Sequence, residues 1–321
     1  MSKDGKSDAQ TISSTQFHLL LHAVPHLGEK AITRLLSGSA QRRLTPELFL
    51  ELPARTLQDE FELDQRSVSY LLENRAALLE ESAAKARTMR AFPLHLIAAT
   101  GATYPARLVQ YSEAPPPLLY TLGNLKLLEP YSTIKSARRY TFTIAVSRSA
   151  GSDTLAALDE TATQLAILGG TPVTGHDRPE YQRLALAAQR RGLPSLYVFD
   201  RGLREALGPE FDRPPFAAAR IRDAVFDLGR DLAVSPFRLD DHCIGGNNRR
   251  RDSLIFALSD VVIALDIRNS GAMFAECCRA REQGRPIFVC NGGRDGNEAL
   301  RRAGVPPLPE PDVWPERLLS T

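Results

Sequence analysis

The chain has 321 residues, 43% of them hydrophobic, and 40 Lys and Arg against 38 Asp and Glu leave a formal net charge of +2. That composition supports a folded, soluble protein of one large or two ordinary domains, and it neither demands nor excludes a polyanionic partner, so any basic surface must be local. No window approaches the roughly 18 to 20 apolar residues of a membrane span, and the polar start MSKDGKSDAQ lacks the apolar core of a secretory signal, which assigns the protein to the cytoplasm with no membrane partner.

Residues 1–13 are polar and read as a disordered tail. From Ser14 to about Phe92 the pattern is helical, with Phe17, Leu20, Leu21 and Val24 on one stripe and Leu71, Leu72, Leu78 and Leu79 on a later one. Within this stretch Val24 to Ile32 resembles a helix-hairpin-helix turn, which would bring Gly28 and Lys30 to a DNA phosphate at the amino end of the second helix. The segment from Pro93 to Glu129 is mixed: Pro115 to Pro117 forbid a helix and favour an extended run into a turn at Gly123-Asn124.

Beyond it strands and helices alternate. Strands are expected at Phe142–Val146, Pro172–Thr174, Ser195–Phe199, Leu232–Val234, Val261–Leu265 and Pro286–Val289. Helices are expected at Leu155–Leu168, Tyr181–Gln189, about Phe216–Leu228, from Asn247 onward, and about Gly296–Arg302. The fold class is therefore α/β: an extended Rossmann-like, mainly parallel sheet with helices on both faces over residues 93–321, preceded by a small all-α domain over 14–92.

The stretch Asn247 to Gly293 carries the densest chemistry. Arg249, Arg250 and Arg251 stand ahead of the apolar Leu254, Ile255, Phe256 and Leu258, so guanidinium groups and free backbone N–H groups meet at one helix start. Arginines there oppose the helix dipole, which favours an anionic ligand over a bare solvated face. Val261 to Leu265 is a continuous apolar strand, and Asn269, Ser270 and Gly271 turn at its carboxyl end, where open α/β sheets bind ligands.

Four cysteines without CxxC spacing give neither a disulfide framework nor a zinc site, and six scattered histidines give no metal-ligand pattern, so no metal and no cofactor is expected. The Gly-x-Ser-x-Gly elbow and the GxxxxGK[ST] phosphate loop are absent, and no catalytic residue is assigned.

The order of parts resembles the DNA-processing protein A (DprA/Smf) family over residues 14 to 305. The motifs are Tyr104-Pro105-Ala106-Arg107-Leu108, Pro116-Pro117-Leu118-Leu119-Tyr120, Gly123-Asn124, Ser147-Arg148 after a strand, Thr174-Gly175, the arginine-led helix before Leu258-Ser259-Asp260, and Ser270-Gly271 followed by Glu282-Gln283-Gly284-Arg285. The resemblance implies a non-catalytic protein of recombination and natural transformation. Such a protein binds and protects single-stranded DNA in a basic pocket, passes it to the RecA recombinase and forms a homodimer. The residues carried over as DNA- or phosphate-binding are Ser147, Arg148, Gly175, Arg178, Asn248, Arg249, Arg250, Arg251, Ser270 and Gly271. Apolar residues between Phe211 and Phe226 are candidates for the dimer surface.

The chain departs from the family pattern at three places. Val146 stands where the family has glycine before Ser-Arg, Asp177 and Glu180 enter the segment after Thr174-Gly175, and the Arg-Asn-Arg motif reads Arg251-Asp252-Ser253. The chain is read as a member without the winged-helix domain that many members append. The alternative reading is a Rossmann-type sensor of a nucleotide or nucleotide-derived signal in bacterial defence. N-glycosidic hydrolysis has weak support, because the PGGxGTxxE run of the enzymes that cleave cytokinin nucleotides is absent.

Overall fold

A computed structural model describes residues 11–129, 140–217, 219, 225–314 and 316–319. Residues 1–10 of the expected tail, and residues 218 and 220–224 of the helix expected near Phe216–Leu228, lie outside these, and the described residues of that stretch are turn and coil. Contacts divide the chain into two compact units, Met1–Tyr104 with Pro116–Leu118, and Pro105–Pro115 with Leu119–Thr321.

The first unit contains helices α1 (Ser14–Ala23), α2 (Glu29–Gln41), α3 (Pro46–Leu50), α4 (Ala54–Asp59), α5 (Gln65–Glu73) and α6 (Arg75–Arg90), and then strand β1 (Leu94–Ala98). Short polar residues start several of these helices. Ser13 Oγ accepts from the Gln16 N–H at 3.2 Å, Thr45 Oγ1 from Leu48 at 3.3 Å, and Asp64 Oδ1 from Ser67 at 2.9 Å. The core is built on Phe17, Leu20, Leu21, Ile32, Phe49 and Phe61, with Phe49 edge-on to Phe17 at 5.2 Å and to Phe61 at 5.6 Å.

Of the later stripe, Leu71 and Leu78 are buried but Leu72 is exposed, because the helix breaks at Asn74 and the two leucine pairs belong to separate helices. Between α1 and α2 the chain reverses through His26 at φ +63°, a left-handed conformation that costs a residue with a Cβ about 1–2 kcal/mol.

The second unit begins with α7 (Ala106–Tyr111), β2 (Leu118–Gly123), β3 (Tyr140–Val146), α8 (Ser152–Ile167), β4 (Gly170–Thr174), α9 (Pro179–Gln189) and β5 (Leu196–Val198). It continues with α10 (Leu203–Leu207), β6 (Leu232–Ser235), α11 (Asn247–Ala257), β7 (Val261–Asp266), α12 (Ala272–Glu282), β8 (Ile287–Val289), α13 (Asp295–Arg302) and α14 (Glu316–Leu319). In this unit the strands lie in the order β2-β6-β5-β4-β3-β7-β8. All neighbours are parallel except β2 with β6, so the sheet is mainly parallel and Rossmann-like. Its strands are apolar on both faces because helices cover both, with Phe142, Ile144, Leu158, Leu165, Leu184 and Ile263 among the core residues.

The Tyr-Pro-x-x-Leu segment proves to be scaffolding. Arg107, 8% exposed, donates to Thr141 Oγ1, to the Leu127 carbonyl and to Asp260, and Asp260 accepts from the Thr141 N–H at the start of β3. At the other border the chain after β8 folds back. The Val289 N–H donates to the Pro306 carbonyl, Leu308 donates to Val289, and Pro307 bridges Val289 in parallel. Among the described residues no helix is long and apolar enough to cross a membrane.

His18 on α1 is the acid-sensitive point of the first unit, since burial holds its imidazole down at about 4 against an ordinary 6.5. A depressed histidine stabilises the fold above pH 6.5, and that contribution is lost as pH falls from 6.5 towards 4, where only the unfolded chain takes up the proton. Thermal melts of wild type and His18→Leu at pH 7.5 and pH 4.5 are expected to reveal a larger drop in wild type than in the variant.

Candidate nucleic-acid interface

The sheet changes direction at β3, because the chain winds outward through β4, β5 and β6 and then returns to lay β7 and β8 on the other side. A switch of this kind leaves a crevice outside the strands' carboxyl ends. Here the β3–β7 register shifts between Ala145 and Val146, a bulge that re-aims the residues after it. Val146 is 2% exposed and packs in the core, so the side chain that replaces the family's glycine does not enter the crevice.

Two of the expected segments meet at this point. The Arg268 N–H donates to Ser147 Oγ at 3.0 Å and the Ser147 N–H to the Asp266 carbonyl at 2.9 Å, which ties the β3 exit to the β7 exit. Arg148 is exposed and makes no ion pair among the described residues, neither with Asp153 nor with another carboxylate. Ser270 and Gly271 are exposed one turn further on, where Gly271, at φ +92°, caps α12.

The structure adds two cations that the sequence did not single out. Arg268 Nη2 reaches the Arg148 carbonyl at 3.2 Å, while Arg294 Nη1 and Nη2 reach the carbonyls of Arg148 and Ser149 at 3.1 and 2.8 Å. Arg294 is steadied by Asp266, whose Oδ1 accepts its N–H at 3.0 Å and whose Oδ2 lies 3.2 Å from its Nε. Helices α8 and α12 begin at this edge with no side-chain cap, which leaves their first N–H groups for a ligand, whereas the start of α13 is closed by its own backbone, the Gly296 N–H donating to the Ile267 carbonyl at 2.8 Å and the Asn297 N–H to the Arg294 carbonyl at 3.0 Å.

Asn297, fully buried, locks the platform. Its Oδ1 accepts from the Ile267 N–H at 2.8 Å and its amide donates to the Leu265 carbonyl at 2.8 Å. Gly296 is required beside it, because a Cβ there would stand 2.4 Å from the Ile267 carbonyl oxygen.

The other expected residues gather over β4 and β5, and there the expectation is corrected. Arg251 does not face a ligand: it is 0% exposed, its Nε pairs with Asp252 at 2.8 Å, and its Nη1 pairs with Asp177 at 2.5 Å and lies 3.5 Å from Asp200. Arg178 is also buried; its Nη2 donates to the Val146 carbonyl at 2.8 Å and its guanidinium lies 4.7 Å over the Tyr181 ring. Tyr181 in turn donates to Asp252 at 2.7 Å.

Gly175 serves this packing rather than a phosphate, since a Cβ would come within 2.7 Å of the Tyr181 ring. Burial pushes the Asp200 carboxyl up, but hydrogen bonds from His176 and Arg201 outweigh it and hold the group well below the usual carboxylate range. Among the described residues Arg178, Arg201 and Arg251 thus face Asp177, Glu180, Asp200 and Asp252, and this part of the edge is not basic.

Arg249 is exposed and Arg250 and Asn248 are half-buried, so the trio's outward charge comes from its first two members. In the first unit Gly28 and Lys30 are exposed at the start of α2, with Glu29 between them opposing an anion.

Glu276 is held inside by the Tyr111 hydroxyl at 2.8 Å and by Arg279 at 2.9 Å. Burial pushes the thiols of Cys243, Cys277, Cys278 and Cys290 above their ordinary value, so they stay protonated at neutral pH. Among the described residues no group of three or more His, Cys, Asp or Glu is placed to hold a metal ion.

No family model and no curated protein matches the sequence. Solved structures do match it. DNA processing protein A from Streptococcus pneumoniae aligns with a TM-score of 0.68 at 18% identity, covering 93% of this chain and 96% of that one. DNA processing protein A from Helicobacter pylori, described for its single-stranded DNA binding mode, aligns with a TM-score of 0.53 at 19% identity, covering 71% of this chain and 97% of that one. The fold is therefore that of DNA processing protein A.

Two predictions follow from these contacts. Arg251→Met strands buried carboxylates and is expected to cost about 3–5 kcal/mol in urea unfolding, whereas Arg249→Ala stays within about 0.5 kcal/mol of wild type. Burial pushes the Glu276 carboxyl up despite its hydrogen bond to Tyr111. A raised carboxyl favours the fold in acid and loses that contribution as pH rises, so Glu276→Gln should gain on wild type between pH 4 and pH 7.5 in melting experiments.

Proposed function

We propose that the chain is a divergent member of the DNA-processing protein A family and binds single-stranded DNA without altering it chemically, with the phosphates seated at the β3–β7–β8 edge. One observation carries the reading: Arg268 and Arg294 converge on the carbonyls of Arg148 and Ser149 beside the uncapped starts of α8 and α12. Guanidinium forks whose positions are fixed by backbone acceptors, beside free N–H groups, suit phosphate and need no base sequence. The likeness in fold to the Helicobacter pylori protein supports the choice of ligand.

Protection of the strand, delivery to RecA, homodimerisation and a cytoplasmic setting belong to the same reading. Of the residues first proposed for phosphate contact, Arg148, Ser270, Gly271 and Arg249 keep that role, while Ser147, 6% exposed with its N–H bonded to Asp266 and its Oγ to Arg268, holds the two strand exits together. Arg178, Arg251 and Gly175 likewise become support. The helical first unit, with Gly28 and Lys30, is an auxiliary contact in this proposal.

A nucleotide sensor is the second reading, favoured by Asp177 and Asp200, which interrupt the basic edge and leave room at β3–β7–β8 for a small ligand. Salt separates the two. Anisotropy of labelled oligo-dT across a salt series should give a steep slope, and Arg268→Ala with Arg294→Ala should weaken binding and lower the slope by about 0.7 per lost phosphate contact. Failure of wild type to bind at low salt, together with saturable binding of a mononucleotide, would favour the sensor instead.

A further inference from the structure

The acidic stretch at β4 and β5 divides the ligand edge and sets how a strand can cross it. The arginines over β4 and β5 are committed to Asp177 and Asp200, so this stretch offers a phosphate no uncommitted positive charge, and a strand running towards β6 is free to turn its bases to the protein there. At the end of that path, after β6, stands Phe237. Phe237 is half-buried, in contrast to Tyr197 and Phe199 one strand away, which are fully buried.

Two separate elements fix the ring. The Phe237 N–H donates to Ser235 Oγ at 3.1 Å, and Ser235 Oγ itself donates to the Arg201 carbonyl at 2.7 Å; from α11, the Arg250 guanidinium lies over the ring, 5.9 Å from its centre. The following loop is held as well, the Arg238 N–H donating to Asp241 Oδ2 at 3.0 Å. An aromatic face paired with a guanidinium plane, partly open to solvent and immobilised beforehand, is the arrangement on which unpaired bases stack.

We propose that Phe237 and Arg250 form a base-stacking platform for the single strand whose phosphates occupy the β3–β7–β8 edge. The inference rests on that reading of the edge and adds the feature that selects unpaired bases. β6 lies three strand positions from β3, about 14 Å at the usual spacing, which a few nucleotides span. A duplex, with its bases stacked inside, cannot use the platform.

The test compares the full chain, Phe237→Ala and Phe237→Trp against oligo-dT of about a dozen nucleotides and an abasic oligomer of the same length. Phe237→Ala should weaken oligo-dT binding by about tenfold and leave abasic binding unchanged, while Phe237→Trp should retain oligo-dT affinity. Equal loss on both oligomers, or loss on neither, overturns the platform and leaves the phosphate reading standing. If wild type binds neither oligomer at low salt, the phosphate reading falls and the platform with it.

Discussion

Burying a guanidinium is costly, and Arg251 is buried completely. Its charge is tolerable only because Asp252 and Asp177 bond it and Asp200 lies within ion-pair distance. Those carboxylates have a second effect. They cancel the positive charge of the sheet edge above β4 and β5, whereas at the neighbouring strands Asp266 is the carboxylate engaged with Arg294. The ionic core thereby commits the arginines above β4 and β5 to the fold itself.

The same network explains how the chain tolerates its unusual residues. Asp177 lies in the segment after Thr174-Gly175 that was expected to face phosphate, and it is consumed by Arg251. Val146 stands where a glycine was expected, and the strand bulge beside it coincides with a side chain directed into the core. Its carbonyl, bonded by Arg178, joins the β3 exit to the cluster under α11. The side chains at these positions are thus taken up by packing within the fold.

Much of the fold was legible because parallel strands covered on both faces leave unbroken apolar runs, as at Val261 to Leu265, and because prolines and glycines mark their ends. The fate of Arg251 was also encoded. Asn247, Arg251, Leu254, Ile255 and Leu258 repeat at helical spacing and all are buried, whereas Arg249 lies on another face of the helix. Treating the three arginines as one cluster hid that difference.

Arg268 and Arg294 were not legible, since 26 residues separate them and only the pairing of β7 with β8 brings them to one carbonyl. Asn297 gave only a faint signal in the Gly296-Asn297 pair, whose value depends on a strand exit 30 residues earlier. The short α10 has too few apolar residues for periodicity to register.

The segment folded along β8 has a bearing on how the molecule behaves in company. Pro306 and Pro307 carry no amide hydrogen, so the border they form presents carbonyls without the alternating donors that a foreign strand needs for registration. A parallel sheet rich in valine and isoleucine would otherwise offer a sticky margin during the slow closure of its long-range pairs. With the margin sealed by imino acids, crowded copies of the chain lack a template for fibre growth on that side.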